Sequence, residues 1–405
     1  MDREKNERMK IVWLCSFENE ELASLLGEDS SLMISPWITE LIDLFRDRTD
    51  IELFIVAPNY FRNKSRKIKI GNIEVNLYQY RPSFLPKKAY NFTFNYPIAR
   101  KAVASIIKKI NPDLIHLHGS ENPLYAVGVL SLMPKYPVLV NVQGFVFLSS
   151  KPRNLIRRYV RWNRIRIERN INRRAPSFII TTEEGSRTLR TFSEKAKIYK
   201  NYYPTIKPDV SSLDYPNKKY DLVYYARISK DKGIEDLIEA VKILKKSRPN
   251  ISVIVIGGGT KPYLEYIKSL IEAYQLGENI NLAGFQPSQQ DVFKLAVQAK
   301  AYVLPTYFDN LPGSIREAMF MHLPVIAYAI GGIPDLNDDK ACVTLVERLN
   351  IKELVEKIEL VLDDKVRTDR LVKNAYEVIT NKYDNGKIYS NLLDIYQDII
   401  NVNKT

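Results

Sequence analysis

The chain has 405 residues, of which 45% are hydrophobic and 26% are charged. This balance is typical of a folded globular protein and excludes a disordered or fibrous chain, and the length predicts two domains that each bury a core. The formal net charge of +13 predicts an anionic partner: a nucleic acid, an acidic membrane or a phosphorylated substrate.

Targeting segments, disulfides and metal sites are not expected from this composition. No run of about 18 apolar residues occurs, and the charged residues 1–10 lack the apolar stretch of a signal peptide, so we expect a cytoplasmic protein. Cys15 and Cys342 lie in apolar, strand-like runs, which favours free thiols in a reducing compartment. With three histidines and no Cys-x-x-Cys spacing, we expect no Cys/His metal site.

The first half alternates apolar strands with helices, the pattern of a parallel sheet. Residues 60–95 carry many basic and aromatic residues without a clear period, which predicts hairpins and exposed loops. The predicted strands and the amphipathic helix among them cover residues 10–15, 37–45 (helix), 51–57, 114–117, 137–142 and 178–181.

A basic segment at residues 151–174 contains ten basic residues and one acid, Glu168. Arginines cover most of one helical face, and this segregation predicts an interfacial helix that lies on anionic lipid. A solvated basic helix on a domain surface is the open alternative. The apolar residues predicted to share the other face are Leu155, Ile156, Tyr159, Val160, Ile167 and Ile171.

A linker rich in Pro, Asp, Ser and Asn at residues 204–219 separates the two halves. The second half repeats the strand and helix alternation, and residues 351–401 are mostly helical in composition. We therefore expect two doubly wound α/β domains with a cleft between them and ligands at the carboxyl ends of the strands. The predicted elements of this half are strands at 220–225, 252–257, 279–282, 301–304 and 325–328, and helices at 234–245 and 263–274.

The segment DNLPGSIREAM at residues 309–319 is the most informative in the chain. It follows an apolar strand and leads through a Leu-Pro-Gly turn into a helix, whose free backbone N–H groups can hold an anion. Asp309 and Glu317, eight residues apart, are available to accept hydrogen bonds from paired sugar hydroxyls. This combination suits a sugar that carries a diphosphate.

Two further loops follow predicted strands of the second half. Arg227, Lys230 and Lys232 are cations that can neutralise a diphosphate, although solvated charges on a βα loop would look the same. The glycines from Gly257 to Gly259 would let the backbone approach a ligand closely. They do not form a G-x-G-x-x-G fingerprint, and a simple tight turn explains them equally well.

Short motifs follow one another in a fixed order across residues 220–336. They are Ala226-Arg227-Ile228, Lys232-Gly233, Gly257-Gly258-Gly259, the acids of residues 309–317, Ala318-Met319, Pro324-Val325-Ile326-Ala327 and Gly331-Gly332-Ile333-Pro334. This series resembles the nucleotide-binding domain of the retaining glycosyltransferases of family 4, which have the GT-B fold.

The resemblance implies an α/β protein of GT-B class, with two doubly wound Rossmann-like domains facing an interdomain cleft. Residues 1–203 would form the N-terminal acceptor-binding domain and residues 204–385 the C-terminal nucleotide-sugar-binding domain. A C-terminal helix at about residues 386–405 is a candidate to pack back onto the first domain.

The family's functional roles transfer to matching positions of this chain. Arg227 and Lys232 would bind the leaving diphosphate, Glu317 the ribose hydroxyls and Asp309 the donor sugar. The resemblance also implies donor contacts for the glycine turn that begins at Gly257, for the turn that leads into the helix after Pro312, and for the aromatic residue Phe285 near the base. These residues are Gly257, Gly259, Leu311, Gly313, Ser314 and Phe285.

Residues 112–119 resemble a family segment whose histidines line the cleft. His116 and His118 are two residues apart, so a regular strand places them on one face. Only the residue at or beyond the strand end is expected to reach the cleft, which favours His118. Histidines at the end of a buried strand are the alternative.

The chain departs from the family pattern at several positions. Gln143 stands where many members carry a histidine that contacts the donor sugar; a glutamine can fix a hydroxyl but cannot exchange a proton near neutral pH. Asp309 replaces the first glutamate and shortens its reach by one methylene. Ser35-Pro36-Trp37 occupies the region of an N-terminal glycine pair.

These observations predict a retaining glycosyltransferase that moves a sugar from a nucleotide diphosphate sugar to a hydroxyl of a saccharide or lipid-linked saccharide, in cell-surface polysaccharide synthesis. No Asp-x-Asp motif occurs, so metal-independent transfer without another cofactor is expected. Peripheral attachment to the inner face of the cell membrane through residues 151–174 is expected, and nucleic acid is not an expected partner. A catalytically silent basic binding protein of GT-B fold and a nucleotide-sugar epimerase are the alternatives.

Overall fold

The fold is taken from a computed structural model that describes residues 8–28, 36–148, 152, 154–209 and 218–404. The chain divides into two units. Unit 1 consists of Met1–Pro204 together with Asn385–Thr405, and unit 2 consists of Thr205–Asp384. Half of the predicted linker, residues 210–217, and Ser35 lie outside the described residues.

Unit 1 is built on an eight-stranded sheet. Its strands are β1 (Met9–Leu14), β2 (Ile51–Pro58), β3 (Arg66–Ile70), β4 (Ile73–Tyr78), β5 (Leu114–His118), β6 (Val138–Val142), β7 (Ser177–Ile180) and β8 (Lys197–Lys200). They lie in the order β3-β4-β2-β1-β5-β6-β7-β8, and every pair except the β3–β4 hairpin is parallel.

Helices cover both faces of this sheet. On β1, Val12 and Leu14 belong to one core, whereas Ile11 and Trp13 belong to the core on the opposite face. A strand buried on both faces reads as a continuous apolar run, which explains why the sequence pattern located these strands. The helices of residues 8–204 are α1 (Glu20–Leu26), α2 (Pro36–Asp43), α3 (Lys87–Tyr90), α4 (Pro97–Ile110), α5 (Pro123–Ala126), α6 (Leu155–Arg174) and α7 (Glu183–Arg190).

The expectation of exposed loops across residues 60–95 is only partly right. The β3–β4 hairpin falls in this segment, as predicted, but Tyr78, Tyr80 and Tyr90 are buried in the core. Tyr80 and Tyr90 meet edge to face, with ring centroids 6.1 Å apart. Tyr78 ends β4, Tyr90 ends the short helix at Lys87–Tyr90, and Tyr80 lies on irregular backbone. Their rings supply apolar surface to the core from elements too short to show a clear period in the sequence.

Unit 2 is a six-stranded sheet whose paired strands are all parallel. Its strands are β9 (Tyr220–Tyr225), β10 (Val253–Ile256), β11 (Ile280–Gly284), β12 (Ala299–Leu304), β13 (Val325–Tyr328) and β14 (Val343–Val346), in the order β11-β10-β9-β12-β13-β14. The helices are α8 (Ile234–Leu244), α9 (Lys261–Ala273), α10 (Gln289–Ala296), α11 (Gly313–Phe320), α12 (Ile351–Asp363) and α13 (Lys365–Lys382).

The last helix, α14 (Asn385–Lys404), belongs to unit 1. Leu392, Ile395 and Ile399 pack in the same core as Trp13. The hydroxyl of Tyr396 accepts a hydrogen bond from Trp13 Nε1 at 2.9 Å, so the helix is held by polar as well as apolar contacts. None of the described helices combines the length and the apolar character needed to cross a membrane.

Candidate active site

Neighbouring strands β9 and β12 bring two predicted site loops together. The carbonyl oxygen of Asp231, after β9, accepts hydrogen bonds from the Tyr307 backbone N–H at 2.8 Å and from the Thr306 hydroxyl at 3.1 Å. Tyr307 and Thr306 follow β12. The two loops are therefore fastened at their backbones at the carboxyl edge of the sheet, where ligands of such folds bind.

Gly233 makes this close approach possible. It ends a short 3-10 turn in the left-handed region, with φ of +70°, and α8 begins at the next residue. A Cβ at this position would lie 1.8 Å from the carbonyl oxygen of Pro305, a distance that no side chain can occupy. Glycine is required here for both its conformation and its lack of volume.

The two predicted phosphate cations each contact a carboxylate. Lys232 Nζ donates to Asp309 Oδ2, and the two side chains are only 19% and 20% exposed. Arg227 Nη2 lies 3.1 Å from Asp231 Oδ2, but this arginine side chain is 68% exposed. The structure therefore joins Lys232 with Asp309 directly, and it leaves Arg227 at the surface of the same loop.

The start of α11 is held from behind by two tyrosines. The Tyr225 hydroxyl donates to the Ser314 carbonyl oxygen at 2.6 Å, and the Tyr302 hydroxyl donates to Ser314 Oγ at 2.8 Å. Burial raises the pKa of both tyrosines well above the usual value, so they stay protonated donors. Pro312 provides no side-chain cap, and the first N–H groups of a helix lack partners within it. The result is a fixed helix N-terminus suited to an anion.

Glu317 lies one turn further along α11 and is buried. Its Oε2 accepts a hydrogen bond of 2.9 Å from Gln289 Nε2 at the start of α10. A Cβ built on Gly313 would lie 3.8 Å from Glu317 Oε1, so the carboxylate sits beside the helix start. Gln289 was not identified from the sequence, because nothing in its local pattern shows which helix faces Glu317.

The glycine turn after β10 packs against the Arg227 loop. Gly257 has a φ of +144°, and a Cβ there would lie 2.0 Å from the carbonyl oxygen of Ala226. Gly259 forms a bridge with Ile228. Beyond the turn, the exposed ring of Phe285 lies beside Gly258, where an added Cβ would be 3.5 Å from the phenylalanine Cβ. The predicted glycines and aromatic residue therefore border the same edge as Arg227.

A second glycine pair fixes the loop that carries Asp309 and Leu311. Gly331 adopts a φ of +56°, and a Cβ there would lie 1.9 Å from the Asp309 carbonyl oxygen. The Gly332 backbone N–H donates to the Asn310 carbonyl oxygen at 2.5 Å. Leu311 itself is half-buried between Asp309 and α11. Among the residues described here, no group of three His, Cys, Asp or Glu side chains is arranged to hold a metal ion.

In unit 1, His118 and Gln143 meet at one tyrosine. Gln143 Nε2 donates to the Tyr203 hydroxyl at 3.0 Å, and His118 Nδ1 lies 3.4 Å from the same oxygen. His118 ends β5, and burial lowers its pKa to about 3, so the ring is neutral. Tyr203 follows the last strand of the unit, and its role was not visible in the sequence because it is far from both partners along the chain.

The histidine pair lies on one face of β5, as predicted, with ring centroids 3.9 Å apart. His116 belongs to the core, where its Nδ1 bonds the Tyr396 hydroxyl at 2.7 Å. The same hydroxyl accepts from Trp13, so Tyr396 joins both aromatic side chains. The alternative of histidines on a buried strand therefore describes His116, which lies in the core. His118 is buried as well.

The chain has two Rossmann-like α/β units, and the second carries cations, a glycine turn and an uncapped helix at one sheet edge, which is the GT-B fold. The fold class expected from the sequence is thereby confirmed. Residues 207–378 match the family described as glycosyl transferases group 1. This match covers most of unit 2.

Relatives and a solved structure agree with this assignment. The chain is 23% identical over 303 residues to an alpha-D-kanosaminyltransferase of Streptomyces kanamyceticus, with 70% of this chain and 76% of the relative covered. It is 22% identical over 387 residues, 89% of this chain and 94% of the relative, to the N,N'-diacetylbacillosaminyl-diphospho-undecaprenol alpha-1,3-N-acetylgalactosaminyltransferase of Campylobacter jejuni. Anabaena Alr3699/HepE in complex with UDP-glucose superposes with a TM-score of 0.69 and 18% identity, covering 96% and 100% of the two chains.

Proposed function

We propose that the protein is a retaining, metal-independent glycosyltransferase of the family 4 type that takes a sugar from a nucleotide diphosphate sugar. The observation that carries this proposal is the arrangement at the carboxyl edge of unit 2, where Lys232 contacts Asp309 beside the fixed N-terminus of α11. A lysine ammonium next to an uncapped helix start suits a diphosphate, whose negative charge grows as it departs.

Each donor group has a proposed partner. Lys232 exchanges Asp309 for the diphosphate, and the exposed Arg227 of the same loop closes on the diphosphate. Asp309, released from the lysine, accepts hydrogen bonds from the donor sugar. Glu317, held by Gln289, binds the ribose hydroxyls, and Phe285 covers the base.

The leaving group itself is the proposed proton acceptor. The bond from the anomeric carbon to the diphosphate breaks, the acceptor oxygen bonds to that carbon on the same face, and the acceptor proton moves to the departing phosphate oxygen. Neither predicted donor contact in unit 1 offers a base, because His118 has a pKa of about 3 and Gln143 does not titrate. Gln143, which is half-buried, serves as a hydrogen-bond partner of a sugar hydroxyl, and the buried His118 contacts Tyr203 beside it.

For the acceptor, we propose a saccharide or lipid-linked saccharide used in cell-surface polysaccharide synthesis. The Campylobacter relative is named for a diphospho-undecaprenol acceptor and aligns with 89% of this chain, which supports a lipid-linked substrate. The Anabaena structure contains UDP-glucose, which supports a UDP-sugar donor. A lipid-linked acceptor also agrees with peripheral attachment to an anionic membrane through the basic segment at residues 151–174.

A panel of nucleotide sugars with saccharide and lipid-linked acceptors tests the proposal, with the anomeric configuration of the product read by NMR. Arg227→Ala and Lys232→Ala are each expected to lower turnover by about 10²-fold, because each removes a charge from the leaving group. Lys300→Ala is the matched control, since Lys300 pairs with Asp221 near the amino end of β9. An epimerised sugar, the absence of turnover, or near-normal rates in both variants would refute the assignment.

A further inference from the structure

The first two turns of α6 project from unit 1. Every residue from 154 to 159 is exposed, on all sides of the helix, whereas Ile167 and Ile171 near its end lie in the core. The predicted apolar face is therefore divided between two environments: its C-terminal part packs inward, and Leu155, at 75% exposure, and Ile156 face solvent.

The outward face of α6 combines aromatic and basic side chains. Leu155, Tyr159, Trp162 and Arg166 follow one another at helical spacings of four, three and four residues, so they form one stripe. The rings of Tyr159 and Trp162 are 5.8 Å apart. We call the exposed set Leu155, Ile156, Tyr159, Trp162 and Phe94 the projecting patch.

Arg166 links this patch to the neighbouring loop. Its guanidinium carbon lies 4.2 Å from the ring centroid of Phe94 and 5.9 Å from that of Trp162. Phe94 and Trp162 are both about half exposed, at 51% and 52%. Aromatic rings joined through an arginine form a continuous surface with an apolar body and a positive charge, which is the composition favoured at a membrane interface.

The charge around the patch is positive. The one acid of residues 151–174, Glu168, points inward and accepts the backbone N–H of Val146 at 2.9 Å. Arg157 and Arg158 lie in the projecting turns and are exposed. A basic helix that also exposes Leu and Trp matches an anionic lipid surface, because the arginines meet headgroups while the apolar side chains leave water.

We propose that the projecting patch inserts into the interface of an anionic phospholipid membrane, with Leu155, Ile156 and Trp162 entering below the headgroups. This inference specifies the membrane contact within the proposed function and rests on that part of it. Aliphatic Leu155 and Ile156 at the exposed tip favour lipid over nucleic acid, which is bound by stacking on aromatic rings and by charge.

Vesicle binding by the full chain tests this proposal. The protein is sedimented with phosphatidylglycerol/phosphatidylcholine vesicles and with pure phosphatidylcholine vesicles, at low and high salt. We expect salt-sensitive binding to the anionic vesicles, weakened about five-fold by Arg158→Ala and about ten-fold by Leu155→Ser. Val366→Ser, at a comparably exposed apolar position on α13, is the control and leaves binding unchanged.

Tryptophan emission reports insertion directly. Trp162 is exposed and Trp13 is fully buried, so a blue shift on anionic vesicles that disappears in Trp162→Phe shows that Trp162 enters the interface. Four results would each overturn the proposal. They are equal binding to neutral vesicles, an unchanged Trp162 emission, binding of RNA in place of vesicles, and burial of Trp162 by self-association without lipid. Thermal stabilisation by UDP, measured on the same variants, tests the donor site independently. A failure of the membrane proposal can therefore be distinguished from a failure of the proposed donor site.

Discussion

The Lys232–Asp309 pair leads to a prediction that separates nucleotide binding from sugar transfer. The lysine ammonium is held by the carboxylate, so a diphosphate competes with Asp309 for the same charge. Asp309→Asn removes that competitor. The same substitution weakens the contacts proposed between Asp309 and the donor sugar. We therefore expect this variant to bind UDP more tightly while transferring sugar more slowly.

The burial of the pair sets the size of the effect. The two side chains are 19% and 20% exposed, which places them at the strong end of surface ion pairs, about 1 kcal/mol. Removing that attraction is expected to tighten UDP binding about five-fold. Weakening one charge-assisted hydrogen bond to the sugar costs about 1.5 kcal/mol and lowers turnover about ten-fold.

Titration calorimetry with UDP and initial rates of transfer measure the two quantities. Lys232→Ala should weaken UDP binding, because it removes the cation itself. Asp363→Asn is the matched control, since Asp363 pairs with Arg248 elsewhere in unit 2. Weaker UDP binding in Asp309→Asn, or equal rates for Asp309→Asn and the native protein, would contradict the proposed exchange of partners.

Two further predictions concern stability. Gly233→Ala would place a Cβ 1.8 Å from the Pro305 carbonyl oxygen on a left-handed backbone, so it should lower the free energy of unfolding by at least about 2 kcal/mol. The control is Gly277→Ala, where an added Cβ meets nothing within 4 Å and should change the free energy of unfolding by less than about 1 kcal/mol. Similar urea midpoints for the two variants would contradict this reasoning. Burial raises the pKa of Glu168 from 4.5 to about 7, so the folded state binds this proton more tightly than the unfolded chain. The native protein should therefore lose stability relative to Glu168→Gln as pH rises from about 4.5 to 7, by up to about 1.4 kcal/mol per pH unit, and parallel stability curves from urea titrations across this range would refute the sign.

The sequence predicted most strands of both sheets but not the edge strands β8 (Lys197–Lys200) and β14 (Val343–Val346). Residues 220–225 and 325–328 were bounded correctly, because both segments contain buried apolar runs that end at polar or glycine-rich turns. The order of the motifs likewise indicated GT-B architecture and the glycosyltransferase class. The prediction of exposed loops across residues 60–95 failed in part. Tyr78 and Tyr80 are buried, although the segment shows no clear hydrophobic period in the sequence.

The candidate site was predicted as a set of residues and not as a set of contacts. Glycines at 233 and 257 are readable in the sequence, but the carbonyl groups that exclude a Cβ belong to Pro305 and Ala226, and only folding brings Pro305 to Gly233. Gln289 was missed because its contact with Glu317 spans 28 residues and two helices.

The amino-acid sequence by itself determined the α/β class, the order of the motifs in the second unit and the loops that carry its charged residues, because these depend on local patterns and spacing. The tertiary structure decided that Lys232 is paired with Asp309, that Tyr203 joins His118 to Gln143, and which part of α6 is buried. Such contacts join segments distant along the chain, and their formation depends on how strands and helices pack, which no local pattern encodes.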